Sequence, residues 1–96
     1  MIYHKAAVRD LLRVNGEVLY LGTLADGLLD QSLSADDRKY LAKKVLQDLK
    51  YTERSLMNLE AYSERHSVGN LQSNIDYLWQ KVLNLKYWTE LTSMAV

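Results

Sequence analysis

The chain has no cysteine, no proline and no phenylalanine, and only four glycines among its 96 residues. Without cysteine there is no disulfide scaffold, no thiolate nucleophile and no Cys-based zinc or iron–sulfur site. Whatever holds the fold is therefore packing. Without proline the strongest breaker of helices is missing, and the supply of Leu, Ala, Lys, Arg, Glu and Gln points to long helices. An excess of charge is missing as well. Twelve Lys and Arg balance twelve Asp and Glu, which argues against a global electrostatic footprint for DNA or anionic lipid, and equally against an acidic mimic of nucleic acid. The balance leaves room for a local patch. Long apolar runs are also absent at the amino terminus: Met1-Ile2-Tyr3-His4-Lys5 is followed by Arg9, Asp10 and Arg13, so neither a signal peptide nor a membrane span is expected there, and the cytoplasm is the expected compartment.

What is present is an ordinary globular composition, 48% hydrophobic and 25% charged, with no low-complexity segment and no repeat at solenoid periods. A chain this short supports one domain, which buries roughly 60–70% of the surface its unfolded form exposes.

Three amphipathic stripes organise the chain. Ala7, Leu11, Val14, Val18, Leu21, Ala25 and Leu28 alternate steps of four and three, which keeps them on one face of a helix. Asn15-Gly16, flanked by Val14 and Val18, is a competing signal for a tight β-hairpin turn. Phase decides for the helix, because the stripe continues unshifted past Gly16 whereas a hairpin would switch to a period of two. Glycines at 16, 22 and 27 each weaken such a helix by roughly 1 kcal/mol relative to Ala, so a break near Asn15-Gly16, giving four helices, is the runner-up. Ser34-Ala35-Asp36-Asp37 then supplies an N-cap and first-turn carboxylates. The second stripe is Ala42, Val45, Leu49, Thr52, Leu56 and Leu59, flanked by Leu41 and Leu46. Ser67-Val68-Gly69-Asn70 offers a stop and a new cap, and Val68, Leu71, Ile75, Leu78, Val82 and Leu85 form the third stripe. The expected fold is an all-α, elongated antiparallel three-helix bundle, with helices at roughly 2–31, 35–66 and 70–94 and a length of about 45 Å at 1.5 Å per residue.

Two surfaces are candidates for function. From Ser67 onward only Asp76, Lys81, Lys86 and Glu90 are ionised, so the third helix is the least charged. On a wheel of 100° per residue, Leu83, Tyr87, Leu91 and Met94 fall opposite the Leu78, Val82 and Leu85 stripe, with Trp79 and Trp88 on its flanks. In a three-helix bundle that outer side faces water, and its composition is that of a protein–protein interface; the competing reading is that the first helix folds over it and makes it core. On the second helix Tyr40, Tyr51 and Tyr62 recur every eleven residues, close to three turns, on the outward side with Lys43, Lys44, Lys50, Arg54 and Arg65 on that side or its edges. Aromatic and basic side chains interleaved in this way can stack on bases and neutralise phosphates. Asp36, Asp48, Glu53 and Glu64 on the same helix cancel much of that field. Seven Tyr against no Phe suits half-wet or interfacial positions.

Catalysis has little to stand on. His4 and His66 are the histidines, and Glu60, Glu64 and His66 lack the Glu-x-x-His spacing of helical di-metal sites. A histidine at a helix C-terminus is accounted for by the dipole. There is no phosphate loop, no His-Glu-x-x-His and no nucleophile with a sequence partner. The sequence therefore implies a non-enzymatic module with no cofactor, metal or small-molecule substrate. It would act on a protein partner or on itself, through helix packing of the Trp79, Leu83, Tyr87, Trp88, Leu91 and Met94 stripe. The alternative is nucleic-acid binding through Tyr40, Lys44, Lys50, Tyr51, Arg54 and Tyr62. The pattern fits a small inhibitor, immunity or regulatory protein of the kind bacteria and phages carry.

Overall fold

The structure, a computed structural model, describes residues 5–66 and 69–94. It is a bundle of three helices, α1 (Lys5–Asp26), α2 (Ala35–His66) and α3 (Gly69–Met94), with a single 3-10 turn at Gly27–Leu29 after α1. The bundle measures 50 × 18 × 16 Å, so it is one helix length long and two helices wide. α1 and α3 both pack extensively on α2 and touch each other less.

α1 is continuous through Asn15-Gly16. The stripe accounts for this: Ala7, Val14, Val18, Leu21 and Ala25 are buried together along one face. Breaking the helix at Gly16 would rotate half of them out of the core, and burying a single Val or Leu is worth about 1.5–3 kcal/mol against the roughly 1 kcal/mol that a glycine costs. From α2, Ala42, Val45, Leu49, Thr52, Leu56 and Leu59 enter the core, and from α3 Leu71, Ile75, Leu78 and Val82. Leu11, Leu41, Leu46 and Leu85 are half-buried at the edges. Val68 lies outside the described residues.

α1 ends earlier than the periodicity implied, at Asp26 rather than near residue 31. The chain tightens into the 3-10 turn at Gly27, where a β-carbon would stand 3.1 Å from Leu41 Cδ2, a close approach that favours glycine. It leaves the helix at Asp30, whose ψ is 109°. Asp30 organises the connection that follows. Its carboxylate accepts hydrogen bonds from the Ser32 amide (2.9 Å) and hydroxyl (2.7 Å), and its carbonyl accepts from the Leu33 amide (3.2 Å) and the Arg38 guanidinium (2.9 Å). These bonds from Ser32 hold the Asp30 carboxyl below its ordinary range. Ser34 then caps α2, its hydroxyl accepting from the Asp37 amide at 3.1 Å. Asp36 and Asp37 sit in the first turn and Arg65 and His66 in the last, both matched to the helix dipole.

Two outcomes follow. Around Gly16 and Gly22 an added β-carbon meets nothing within 4 Å, so Gly16→Ala and Gly22→Ala should each stabilise the protein by about 0.5–1 kcal/mol, read as a rise in urea midpoint. Gly27→Ala should fall short of that gain because Leu41 must move. Because the folded carboxyl of Asp30 is held below its unfolded value, its ionised form adds stability above the unfolded pKa of about 3.9 that is lost as pH falls through the folded value. The gap in urea midpoint between the parent and Asp30→Asn should be present at neutral pH and close in acid.

Candidate functional site

Each helix shows α2 one flank, and the contacts identify it. On α1, Arg13 donates to Ser55 of α2 at 3.3 Å, and Glu17 accepts from the Thr52 hydroxyl at 3.4 Å. On α3, Lys86 lies 3.5 Å from Glu53. The rest of the surface divides around these two seams.

On α3, Leu83, Tyr87 and Leu91 are 54%, 68% and 53% exposed. α1 does not cover them. Trp79 and Trp88 are half-buried and pack against the core. Trp79 lies on the flank of Lys86, towards α2, and Trp88 on the other, towards α1. The side chain of Met94 lies outside the described residues. The outer face thus offers Leu83, Tyr87 and Leu91 to solvent between two tryptophans braced on the core. Exposed Gln80 and Asn84 lie among them on the same side, and the aromatic part of the face is stiff, since Tyr has few torsions to freeze and both indoles are already packed.

A second apolar strip escaped the sequence reading. Val8, Leu12 and Leu19 of α1 are 47%, 64% and 63% exposed, on the flank opposite Arg13 and Glu17, away from α2. The four-three pattern of the buried stripe masked them. Their own spacing of four and seven was the available signal.

On α2, Tyr40 and Tyr51 are exposed as expected, but Tyr62 is not outward: it is half-buried, packs against the core, and has its ring centroid 4.4 Å from that of His66. The reason is arithmetic. Eleven residues at 100° overshoot three turns by about 20°, so each tyrosine sits further round towards α1 than the last, and exposure falls along the row. Lys44, Lys50 and Arg54 are exposed, yet the row is not uniformly basic. Tyr51 shares a groove of about 210 Å³ with Tyr20 and the carboxylates of Glu17 and Asp48, and Tyr40 shares one of about 310 Å³ with Lys43, Lys44 and Asp48. A wider groove of about 540 Å³ lies between Arg9, Arg13, Asn58 and Tyr62. There Arg13 is bound by Asp10 and Glu17, and its hydrogen bond to Asp10 raises its pKa above the ordinary value.

Among the described residues no group of three His, Asp or Glu side chains is placed to hold a metal ion, and no helix is long and apolar enough to cross a membrane. No protein-family model, curated protein or solved structure matches the chain.

Two inward positions were also missed. Ser63 extends the buried face of α2, and Thr89 that of α3; both read as polar although they keep the spacing set by Leu59 and by Val82 and Leu85. Thr89 is fully buried and, among the described residues, its hydroxyl has no hydrogen-bond partner. A buried unsatisfied hydroxyl costs about 1–3 kcal/mol, and valine has the same shape and similar helix propensity. Thr89→Val should therefore stabilise the protein by about 1 kcal/mol in chemical denaturation.

Proposed function

We propose that this chain is a non-enzymatic protein-interaction module whose contact surface is the outer face of α3. The observation that carries this reading is the exposure of Leu83, Tyr87 and Leu91, each more than half accessible, on one side of a helix whose opposite side is fully committed to the core. Aromatic and Leu side chains that are desolvated on docking provide most of the affinity in such contacts, and a polar rim sets register. Asp76, Lys81 and Glu90 are the charged side chains available as that rim.

A second copy of the chain is the partner this reading puts first, in a cytoplasmic regulatory or inhibitory role. Magnitudes limit how tight such a dimer can be. Burying the exposed half of a Leu or Tyr is worth about 1 kcal/mol, so three from each copy supply about 6 kcal/mol, near the low end of the roughly 4–15 kcal/mol that association costs. Self-association through this face alone is weak and depends on concentration. A tighter partner would also engage the Val8, Leu12 and Leu19 strip or the braced tryptophans. The nucleic-acid reading has less support, because Glu17 and Asp48 stand in the groove beside Tyr51 and Tyr62 is occupied against the core and His66.

Size exclusion coupled to light scattering tests this across a dilution series. The expected result is a mass that rises from monomer towards dimer with concentration, and a Leu83→Glu/Leu91→Glu variant that stays monomeric with unchanged helical circular dichroism. Loss of helicity in that variant would show that these side chains hold the bundle together and would count against a contact surface there. A mass that never exceeds the monomer would remove self-association.

A further inference from the structure

The groove between α1 and α2 at mid-height has a chemistry that the α3 face does not explain. It is lined by Tyr20 and Tyr51, both more than half exposed, by Leu21 and Thr52, both buried, and by Glu17 and Asp48. Two carboxylates reach it, and they differ. Glu17 is already satisfied, with Arg13 on Oε1 and the Thr52 hydroxyl donating to Oε2. Asp48 is half-buried, and its carboxylate has no ion pair or side-chain hydrogen bond among the described residues. Lys44, one turn earlier, makes no ion pair with it. The Asp48 carboxylate is thus open to a cation that enters the groove.

The geometry points to this groove as a binding site for an organic cation, an alkylammonium or guanidinium group such as a lysine or arginine side chain presents. Aromatic faces attract cations through the ring quadrupole, more so once water is displaced. Two tyrosines with one open carboxylate suit a positive head on a short apolar stem: the head pairs with Asp48, and the stem lies against the tyrosines and Leu21. The size agrees. The groove holds about 210 Å³, below the roughly 300–1,000 Å³ of pockets for drug-sized ligands, which suits one side chain and excludes a nucleotide. The site lies on a seam separate from the outer face of α3 and does not depend on that face being a contact surface.

Titration of the ¹⁵N-labelled protein with n-butylammonium, with tetramethylammonium and with the tripeptide acetyl-Gly-Lys-Gly-amide tests the site, with n-butanol as the neutral isostere. The expected result is saturable amide shifts confined to residues 17–21 and 48–52, with dissociation constants in the range of about 1–50 mM. Asp48→Asn should weaken binding by about tenfold or more, and Tyr20→Leu should weaken it by a smaller factor, each with an unchanged reference spectrum elsewhere. If the tripeptide binds more tightly than the free amines, the natural guest is a basic side chain of another protein; if a free amine binds as well or better, it is a small cation. Shifts reproduced by n-butanol, binding unchanged in Asp48→Asn, or no saturable shift with any cation would overturn the proposal.

Discussion

The constraint on which this structure depends is phase. Each helix carries its small and medium aliphatic residues in alternating steps of four and three, and three such stripes must meet along one axis for any of them to be dry. With no disulfide available and no phenylalanine or tryptophan fully inside, stability comes from Ala, Val, Leu and Ile packed in a single column. A thin column lets the helices approach closely, as the 18 × 16 Å cross-section records. It also leaves the larger apolar side chains outside. Tyr20, Tyr40, Tyr51, Tyr77, Tyr87, Leu12, Leu19, Leu83 and Leu91 are all more than half exposed, because there is no room for them within and one face per helix is all the core can take.

That surplus separates the surfaces from the scaffold. Scattered exposed hydrophobic residues need no explanation, whereas contiguous ones do. On α3 the exposed leucines and Tyr87 share one side between two braced tryptophans. On the α1–α2 seam the exposed tyrosines frame a groove with a carboxylate. The two differ in character: the first carries leucines and a tyrosine along one helix side, suited to another helix, and the second is small and negative, suited to a single positive group. The network of Arg13 with Asp10 and Glu17 stands beside the groove and reaches α2 through the hydrogen bond to Ser55, so the scaffold and the groove adjoin there.

Much of the architecture was legible in the residues. The absence of proline, the unbroken phase across Gly16 and the Ser34 cap yielded three helices and nearly all of the buried stripe. Less legible was anything decided by geometry between helices. The early end of α1 coincides with the 3-10 turn at Gly27, where the chain packs closely on Leu41, and no local pattern announces that contact. Thr89 and Ser63 are inside because their positions are, whatever their polarity. The inward turn of Tyr62 follows from a 20° drift per eleven residues, small enough to overlook over one repeat and decisive over two. The α3 face was visible as an apolar side opposite an apolar side, but whether α1 lay over it was a question of packing. The Tyr20–Tyr51 groove joins residues of two helices and has no signature in either alone.

The central claim is that the outer face of α3 is a contact surface. The most direct measurement is the concentration dependence of amide chemical shifts in the ¹⁵N-labelled protein from dilute to millimolar samples. The account predicts progressive shifts concentrated on residues 79–92 of α3, spreading to the exposed strip of α1 around Leu12 and Leu19 and sparing the outer face of α2. Shifts confined to α2, or a spectrum identical at every concentration, would contradict it.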